Sequence, residues 1–176
     1  MSKLGNVRRQ LTLFAPGEAA ASIELVREKA DPVQFALIAA HVTLCREDEF
    51  AELELSLLRE RLARAAPLTL TFGPARRFGG HGILLPCVEG AADFQRLRVQ
   101  ALGATDVREH EAHLTIAHPR NPRAPANQDA LLSVLPAPLT LVFRELALIE
   151  QRDALPWVVL ETLQLARPLA TDDPRP

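Results

Sequence analysis

The stretches His41-Val42-Thr43-Leu44 and His113-Leu114-Thr115-Ile116 are two copies of one four-residue pattern, 72 residues apart. In each copy a histidine and a threonine stand two positions apart, and an apolar residue follows each of them. Alternate side chains of a β-strand point to the same face of a sheet. We therefore predict two strands that each direct an imidazole and a hydroxyl to one face and bury their apolar residues on the other.

Two such strands facing each other would place two imidazoles and two hydroxyls around one small volume. The alternative is that both are ordinary half-buried strands whose polar residues only face water. Chance predicts roughly 0.06 copies of this pattern in a chain of this composition, so two copies favour a shared site. Cys45 continues the alternation of His41 and Thr43, and we interpret it as a wall residue of that site rather than a nucleophile, because no base can be assigned to it.

The elements around the two motifs also repeat. The order strand, helix, strand, helix, strand is predicted twice, with one motif strand in each half. The repetition predicts two halves related by a pseudo-two-fold axis that places the motif strands opposite each other. The predicted helices span residues 18–29, 48–65, 91–102 and 127–135, with residues 53, 57, 58 and 62 facing inward in the second of them. The predicted strands span residues 11–14, 34–45, 68–72, 82–88, 112–117, 139–149 and 157–165.

Composition limits the classes of function. The 176 residues carry a formal net charge of −2 and include seven Phe, one Trp and no Tyr. This charge argues against a protein that coats nucleic acid electrostatically, and the few aromatic residues argue against stacking of many successive bases. The two cysteines are far apart in sequence, which is typical of a reducing compartment. The chain shows neither the apolar core of a signal peptide nor a membrane-spanning run, so we expect a cytoplasmic protein that does not engage membranes.

The twin motifs resemble those of the 2H (two-histidine) phosphoesterase superfamily, in the branch of 2′-5′ RNA ligases and RNA 2′,3′-cyclic phosphodiesterases. Their separation and the duplicated element order add to the resemblance, and 11–14 and 157–161 are weaker matches. The resemblance implies an α+β, bilobal, duplicated fold in which two antiparallel sheets flank a central cleft and helices cover the outer faces. We expect one such domain over residues 1–166, with lobes of roughly 1–88 and 89–166 that can exchange strands, and a disordered tail over 167–176.

The same resemblance implies metal-independent chemistry, without a cofactor, on the 2′,3′-cyclic phosphate ends of RNA or nucleotides. The implied product is a 2′-phosphate, and 2′-5′ RNA ligation is an implied side activity. His41, Thr43, His113 and Thr115 are the implied catalytic residues, with His41 as the acid and His113 as the base. The residues alone do not decide which histidine has which role: two imidazoles titrating near pH 6.5 suit either assignment.

Three further residues are predicted to bind the substrate. Arg46 and Arg120 follow the two motif strands and could hold a phosphate at the mouth of the cleft. Phe78, between an arginine and a glycine, is the candidate for an exposed aromatic that stacks on a base. His118 stands where some relatives carry an arginine; strict alternation points it away from His113, so we interpret it as a structural or rim residue. His110 is interpreted as a surface residue.

Two other functions remain open at this stage. The cleft could bind an RNA end or a nucleotide with little turnover, although binding alone does not require two proton-transfer groups. A zinc hydrolase would need a ligand set, and the cluster of residues 110–113 with His118 does not have the His-Glu-x-x-His spacing. The oligomeric state does not follow from the sequence, which is consistent with a monomer.

Overall fold

A computed structural model describes residues 6–50 and 54–165 of the chain. Within these residues it has nine strands: β1 (Val7–Phe14), β2 (His41–Cys45), β3 (Leu68–Phe72), β4 (Arg76–Phe78), β5 (Gly82–Glu89), β6 (His113–Ala117), β7 (Leu139–Phe143), β8 (Glu145–Arg152) and β9 (Val158–Gln164). The helices are α1 (Gly17–Ala30), α2 (Pro32–Leu37), α3 (Leu55–Leu62) and α4 (Ala91–Leu102), with short 3₁₀ helices at Glu47–Glu49 and Asp129–Ser133. The predicted tail over 167–176 lies outside the described residues.

The strands form two antiparallel sheets, which confirms the predicted α+β architecture. The first sheet has the order β2-β1-β8-β9. The second has the order β4-β5-β3-β7, and β6 pairs with the other side of β5. The two motif strands therefore lie in different sheets. The division into sheets does not follow chain order, because β3 joins the second sheet and β8 returns to the first.

The apolar residues of both motifs face a common core, as the alternation predicts. Val42, Leu44, Leu114 and Ile116 are each at most 1% exposed and belong to one buried cluster. Helices α1 and α4 contribute their inward faces to the same cluster, through Ile23, Val26, Ala30, Phe94, Leu97 and Ala101. Each fully buried aliphatic side chain of this kind stabilises the fold by about 1.5–3 kcal/mol, which holds the two motif strands at a fixed spacing.

The predicted strand over residues 34–45 is wrong in its first half. Residues Pro32–Leu37 form α2, and the Asp31 side chain caps it by accepting a hydrogen bond from the Gln34 N–H at 2.9 Å. Proline suits the first turn of a helix because its missing N–H would have no intrahelical partner there. The Asp-Pro pair thus ends α1 and begins the next helix rather than a strand.

The predicted helix over residues 48–65 is shorter than expected. Asp48 lies in a 3₁₀ helix, and α3 begins only at Leu55, after Glu54. Leu58 and Leu62 are buried as predicted, whereas Leu57 is 42% exposed. Residue 53, the remaining predicted inward position, lies outside the described residues.

Two predictions near the C-terminal half also differ from the structure. The predicted helix over 127–135 is only a 3₁₀ helix at Asp129–Ser133, and Asn127 does not cap it. Instead Asn127 is buried and its side-chain amide donates to the Ala30 and His81 carbonyls. The predicted strand over 139–149 is two strands in different sheets, since the chain leaves the second sheet after Phe143 and enters the first at Glu145.

Candidate active site

A cavity of about 380 Å³ lies between the two motif strands. It is lined by six of the seven residues predicted from the sequence: His41, Thr43, Arg46, His113, Thr115 and Arg120. The other lining residues are mostly polar: Arg8, Gln10, Gln34, Leu37, Ile38, His110, His118, Asn121, Gln151 and Trp157. Thus both histidines and both threonines of the repeated pattern share one water-accessible space.

Phe78 does not line this cavity. It lies in β4, where it pairs with Gly82 across the hairpin, and its ring covers that glycine so closely that an added Cβ would lie 2.8 Å from the Phe78 Cε1 atom. Its ring therefore packs on the hairpin, and the structure does not bring it to the predicted substrate site.

The two motif histidines are held in the same way. The His41 Nδ1 atom lies 2.8 Å from the Ala39 carbonyl oxygen, and the His113 Nδ1 atom lies 2.9 Å from the Glu111 carbonyl oxygen. In both cases the partner is the backbone two residues earlier. A carbonyl oxygen only accepts, so each neutral ring carries its proton on Nδ1 and leaves the Nε2 lone pair for a ligand.

Each motif strand contains a bulge at the same position. In β2, Thr43 pairs with Thr12 and Cys45 with Leu11, so Leu44 has no partner across the ladder. In β6, Thr115 pairs with Leu84 and Ala117 with Ile83, so Ile116 has none. An extra residue of this kind reverses the alternation of side chains beyond it.

The bulges correct two predictions based on strict alternation. Cys45 is fully buried in the core and does not line the cavity, and burial raises the pKa of its thiol to about 12, so it is not a nucleophile. His118 lines the cavity together with His113, although it lies five positions later in the chain. Arg46 occupies the equivalent position after the first motif. The bulge therefore gives each half a third residue that faces the cleft.

The loop that carries His118 and Arg120 is anchored by a buried carboxylate from the other half of the chain. Asp31 accepts hydrogen bonds from the His118 N–H at 2.8 Å and from the side-chain amide of Asn121 at 2.8 and 3.0 Å. The Arg120 N–H donates in turn to the His118 Nδ1 atom at 3.1 Å. Asp31 thus fixes the loop after β6 against the start of α2.

The interpretation of His110 as a surface residue is wrong, because it is half-buried and lines the cavity. Its ring centroid lies 5.8 Å from that of His113 and 6.3 Å from that of Phe94. Burial, and then the positive charge of Arg98, lowers the pKa of His110. No sequence signal identifies this residue, because it precedes β6 in an irregular segment.

Arg8 and Trp157 are two further lining residues that the sequence does not predict. They come from β1 and from the residue before β9, and the Arg8 guanidinium carbon lies 5.4 Å from the centroid of the Trp157 ring. The Arg8 guanidinium also donates to the Gln151 side chain. The alternation of Arg8, Gln10 and Thr12 is a sequence signal for one polar strand face. The predicted strand misses this signal because it begins only at residue 11.

The electrostatics of the cavity favour an anionic ligand. Three arginines and four histidines are among the described lining residues, whereas no Asp or Glu is among them. Burial lowers the pKa of His41 to about 4, an effect that the Arg27 guanidinium reinforces and the hydrogen bond to Ala39 opposes. Burial also lowers the pKa of His118, together with the charge of Arg120. His41 is therefore neutral at pH 7 unless a bound anion raises its pKa.

The described part of the chain holds neither a cluster of metal ligands nor a membrane-spanning helix. Within residues 6–50 and 54–165, no three side chains of His, Cys, Asp or Glu are arranged to hold a metal ion. Over the same ranges, none of the helices combines the length and the apolar character needed to cross a bilayer.

Solved structures share this fold across almost their whole length. Escherichia coli LigT in complex with NADP⁺ superposes with a TM-score of 0.59 at 19% identity, over 90% of this chain and 97% of that one. The LigT complex with ATP gives 0.57 at 20% identity, over 91% and 98%. TT0787 of Thermus thermophilus gives 0.54 at 19% identity, over 91% and 98%. At these identities the likeness establishes the fold alone.

No curated protein is similar enough in sequence to count as a match. The sequence profile of the 2′-5′ RNA ligase superfamily, however, matches residues 15–155, which include both motifs and most of the lining of the cavity. The chain therefore belongs to the 2′-5′ RNA ligase superfamily of 2H phosphoesterases.

Proposed function

We propose that the protein is a metal-independent phosphoesterase that opens 2′,3′-cyclic phosphate ends of RNA or nucleotides and leaves a 2′-phosphate. Water attacks phosphorus, the P–O3′ bond breaks, and the 3′-oxygen leaves with a proton. Joining a 5′-hydroxyl to such an end, to give a 2′-5′ linkage, is the proposed side activity of the same site. Its cytoplasmic location and the extent of its single domain, 1–166, remain predictions from the sequence.

One observation carries the proposal: two histidines, one from each sheet, are held identically through Nδ1 and line the same cavity. In-line displacement at phosphorus needs a base beside the attacking oxygen and an acid beside the leaving oxygen, on opposite sides. One imidazole cannot occupy both sides, whereas two on facing strands can. Positioned acid or base groups of this kind each contribute about 10²–10⁴-fold to the rate.

We assign His41 as the acid and His113 as the base. Burial disfavours the imidazolium and lowers the pKa of His41. A bound phosphate places negative charge beside the ring and raises that pKa, because an opposite charge favours the charged form. His41 would then take up a proton on Nε2 as the substrate binds and deliver it to the 3′-oxygen.

Thr43, Thr115 and the arginines would hold the charge on the phosphoryl oxygens. The two hydroxyls line the cavity at equivalent positions of their strands, and hydroxyls can donate to non-bridging oxygens. Arg46 and Arg120 follow the two strands and line the same cavity. LigT structures contain ATP, NADP⁺ or 3′-AMP, all of them phosphorylated nucleotides, which supports a ligand of this class here.

The test is incubation with the four 2′,3′-cyclic nucleotides and a short RNA bearing a cyclic phosphate, in EDTA, followed by chromatography against 2′- and 3′-phosphate standards. We expect 2′-phosphate products, and their loss in a His113→Asn variant, whose amide can still donate to the Glu111 carbonyl. Formation of 3′-phosphates, or activity that chelation removes, would contradict the proposal. Loss of activity on chelation would indicate a zinc hydrolase instead.

A binding module with little turnover is the second candidate. The lowered pKa of His41 favours it, because an imidazole that stayed neutral with the ligand bound would not act as an acid at pH 7. Calorimetric binding of 2′-AMP without hydrolysis of any cyclic substrate would support this function over the enzyme.

A further inference from the structure

Helices α1 and α4 carry a second internal repeat, outside the motifs. Residues 23–27 and 94–98 share one pattern of burial, with the first, fourth and fifth positions buried, the second half-buried and the third exposed. The two helical segments are 71 residues apart, which differs by only one residue from the 72 residues between the two motifs. Each copy contains a buried arginine, Arg27 at 1% and Arg98 at 0% exposure, and an acceptor three residues before it, Glu24 or Gln95.

In the first copy the polar pair forms hydrogen bonds with the backbone just before His41. The Arg27 Nη2 group donates to the Ile38 carbonyl at 2.8 Å, and its Nη1 group donates to Glu24 at 2.6 Å. The other carboxylate oxygen of Glu24 accepts from the Ala40 N–H. The residue between these two anchor points is Ala39, whose carbonyl accepts from the His41 Nδ1 group.

In the second copy the pair forms hydrogen bonds with the backbone of residues 107 and 108, in the segment that leads to His113. Gln95 accepts from the Arg98 Nε group at 3.2 Å and donates to the Val107 carbonyl at 3.1 Å. Arg98 donates to the Arg108 carbonyl at 3.0 Å.

Arg98 also reaches the end of the first motif strand. Its Nη1 group donates to the carbonyl of Leu44, the bulged residue of β2, and its guanidinium pairs with Glu49, whose side chain is 8% exposed. Glu49 accepts in turn from the Arg46 N–H at 2.8 Å. A bulge interrupts the ladder, and a buried guanidinium with several donors can satisfy the backbone there.

We propose that the Glu24–Arg27 pair is a positioning device for His41, while Gln95–Arg98, its counterpart in the repeat, holds the backbone farther before His113 and the end of the first motif strand. The Glu24–Arg27 pair fixes the peptide units on both sides of Ala39, and the Ala39 carbonyl then fixes the plane and the tautomer of the imidazole. Removing the group that orients a metal-binding histidine through its second nitrogen costs about 10–100-fold in affinity or activity, and we take the same range for His41. The inference rests on the proposed function for its kinetic consequence only, since the tautomer is a property of the unliganded protein.

The test compares wild type with the double variant Glu24→Leu/Arg27→Met, which removes both charges together so that neither is left buried alone. Lys29→Met is the matched control: it deletes a positive charge on an exposed position of the same helix. We expect the double variant to lower kcat for a 2′,3′-cyclic nucleotide by about 10–100-fold. KM should stay within about threefold, because the substrate contacts themselves are unchanged.

Nitrogen-15 NMR of the imidazoles reports the tautomer of His41, which a loss of stability alone would not change. We expect His41 to be the Nδ1–H tautomer in wild type and Lys29→Met, and a mixture of tautomers in the folded double variant. If that variant does not fold, Glu24→Gln serves instead, because the amide keeps only one of the two carboxylate oxygens and its NH2 group cannot accept from Arg27 or from the Ala40 N–H. An unchanged tautomer together with unchanged kcat in a folded variant would overturn the inference. A changed tautomer in a protein without any phosphoesterase activity would support it and refute the proposed function alone.

Discussion

Replacing His41 should make the protein less sensitive to mild acid. The imidazole has a pKa of about 4 in the folded protein and an ordinary value near 6.5 in the unfolded chain. Between these values the unfolded chain binds a proton that the folded protein does not, so stability falls as the pH drops from 6.5 towards 4. From pH 6.5 to pH 5 this amounts to 1.5 pH units at about 1.36 kcal/mol each, or about 2 kcal/mol. The ring retains some exposure to the cleft, so we expect a measured effect of about 1–2 kcal/mol.

The assay is urea unfolding of wild type and His41→Asn at pH 7 and pH 5. Asparagine keeps a side-chain N–H that can reach the Ala39 carbonyl, so the variant removes the titrating group with little loss of the local hydrogen bond. The other histidines with lowered pKa values, His110 and His118, are common to both proteins and cancel in the comparison. Wild type should lose about 1–2 kcal/mol more than the variant between the two pH values.

The same experiment in the presence of inorganic phosphate tests the link to function. The anion favours the imidazolium, so it should stabilise wild type at pH 5 more than it stabilises His41→Asn. Equal pH dependence of the two proteins without phosphate would show that burial does not keep His41 neutral. That result would also remove the reason for expecting proton uptake when the substrate binds.

Three further predictions concern the cleft. His113→Asn should lower kcat for a 2′,3′-cyclic nucleotide by about 10²–10⁴-fold with an unchanged melting temperature, measured by steady-state kinetics and calorimetry; near-normal turnover would exclude His113 as a proton-transfer group. Thr115→Val should lower kcat by about 10²-fold, because it removes one donor to the phosphoryl oxygens while keeping the volume of the side chain, and an effect on KM alone would assign the hydroxyl to binding only. Asp31→Ala should lower the free energy of unfolding in urea by about 2–4 kcal/mol, since it removes the cap of α2 and leaves the His118 N–H without its acceptor. It should also raise KM, because the loop that carries Arg120 loses its anchor. An unchanged KM would show that this loop does not contribute to substrate binding.

The part of the site that the sequence predicts is the part carried by local periodicity. Alternation within four residues is enough to place His41 and Thr43 on one face and their apolar neighbours on the other, and repetition is enough to bring the two copies together. Arg46 and Arg120 also reach the cavity, as their positions just after the motif strands indicate. These inferences need only the strand period and the two-fold repeat.

The rest depends on backbone irregularities and on pairing between distant strands. A bulge has no composition signal in Leu44 or Ile116, yet it decides that Cys45 is buried and that His118 faces the cleft. Arg8 and Trp157 meet only because β1 pairs with β8, which brings residues about 150 positions apart into contact. Asp31-Pro32 is typical of a helix breaker in sequence, whereas the structure uses it as a cap and first turn.

The way in which the two halves differ explains how a duplicated fold can perform an asymmetric reaction. The backbone features are the same in both halves: the bulge at the fourth motif residue, and the carbonyl two residues before each histidine, which accepts a hydrogen bond from the histidine Nδ1 group. The charged groups behind them are not the same, because Glu24 corresponds to Gln95 and Arg46 corresponds to His118. In the proposed reaction, this equal backbone geometry would place the two imidazoles on opposite sides of one phosphate, as in-line displacement requires. Unequal surroundings would then allow one of them to give a proton in the same step in which the other takes one, which two identical environments would oppose.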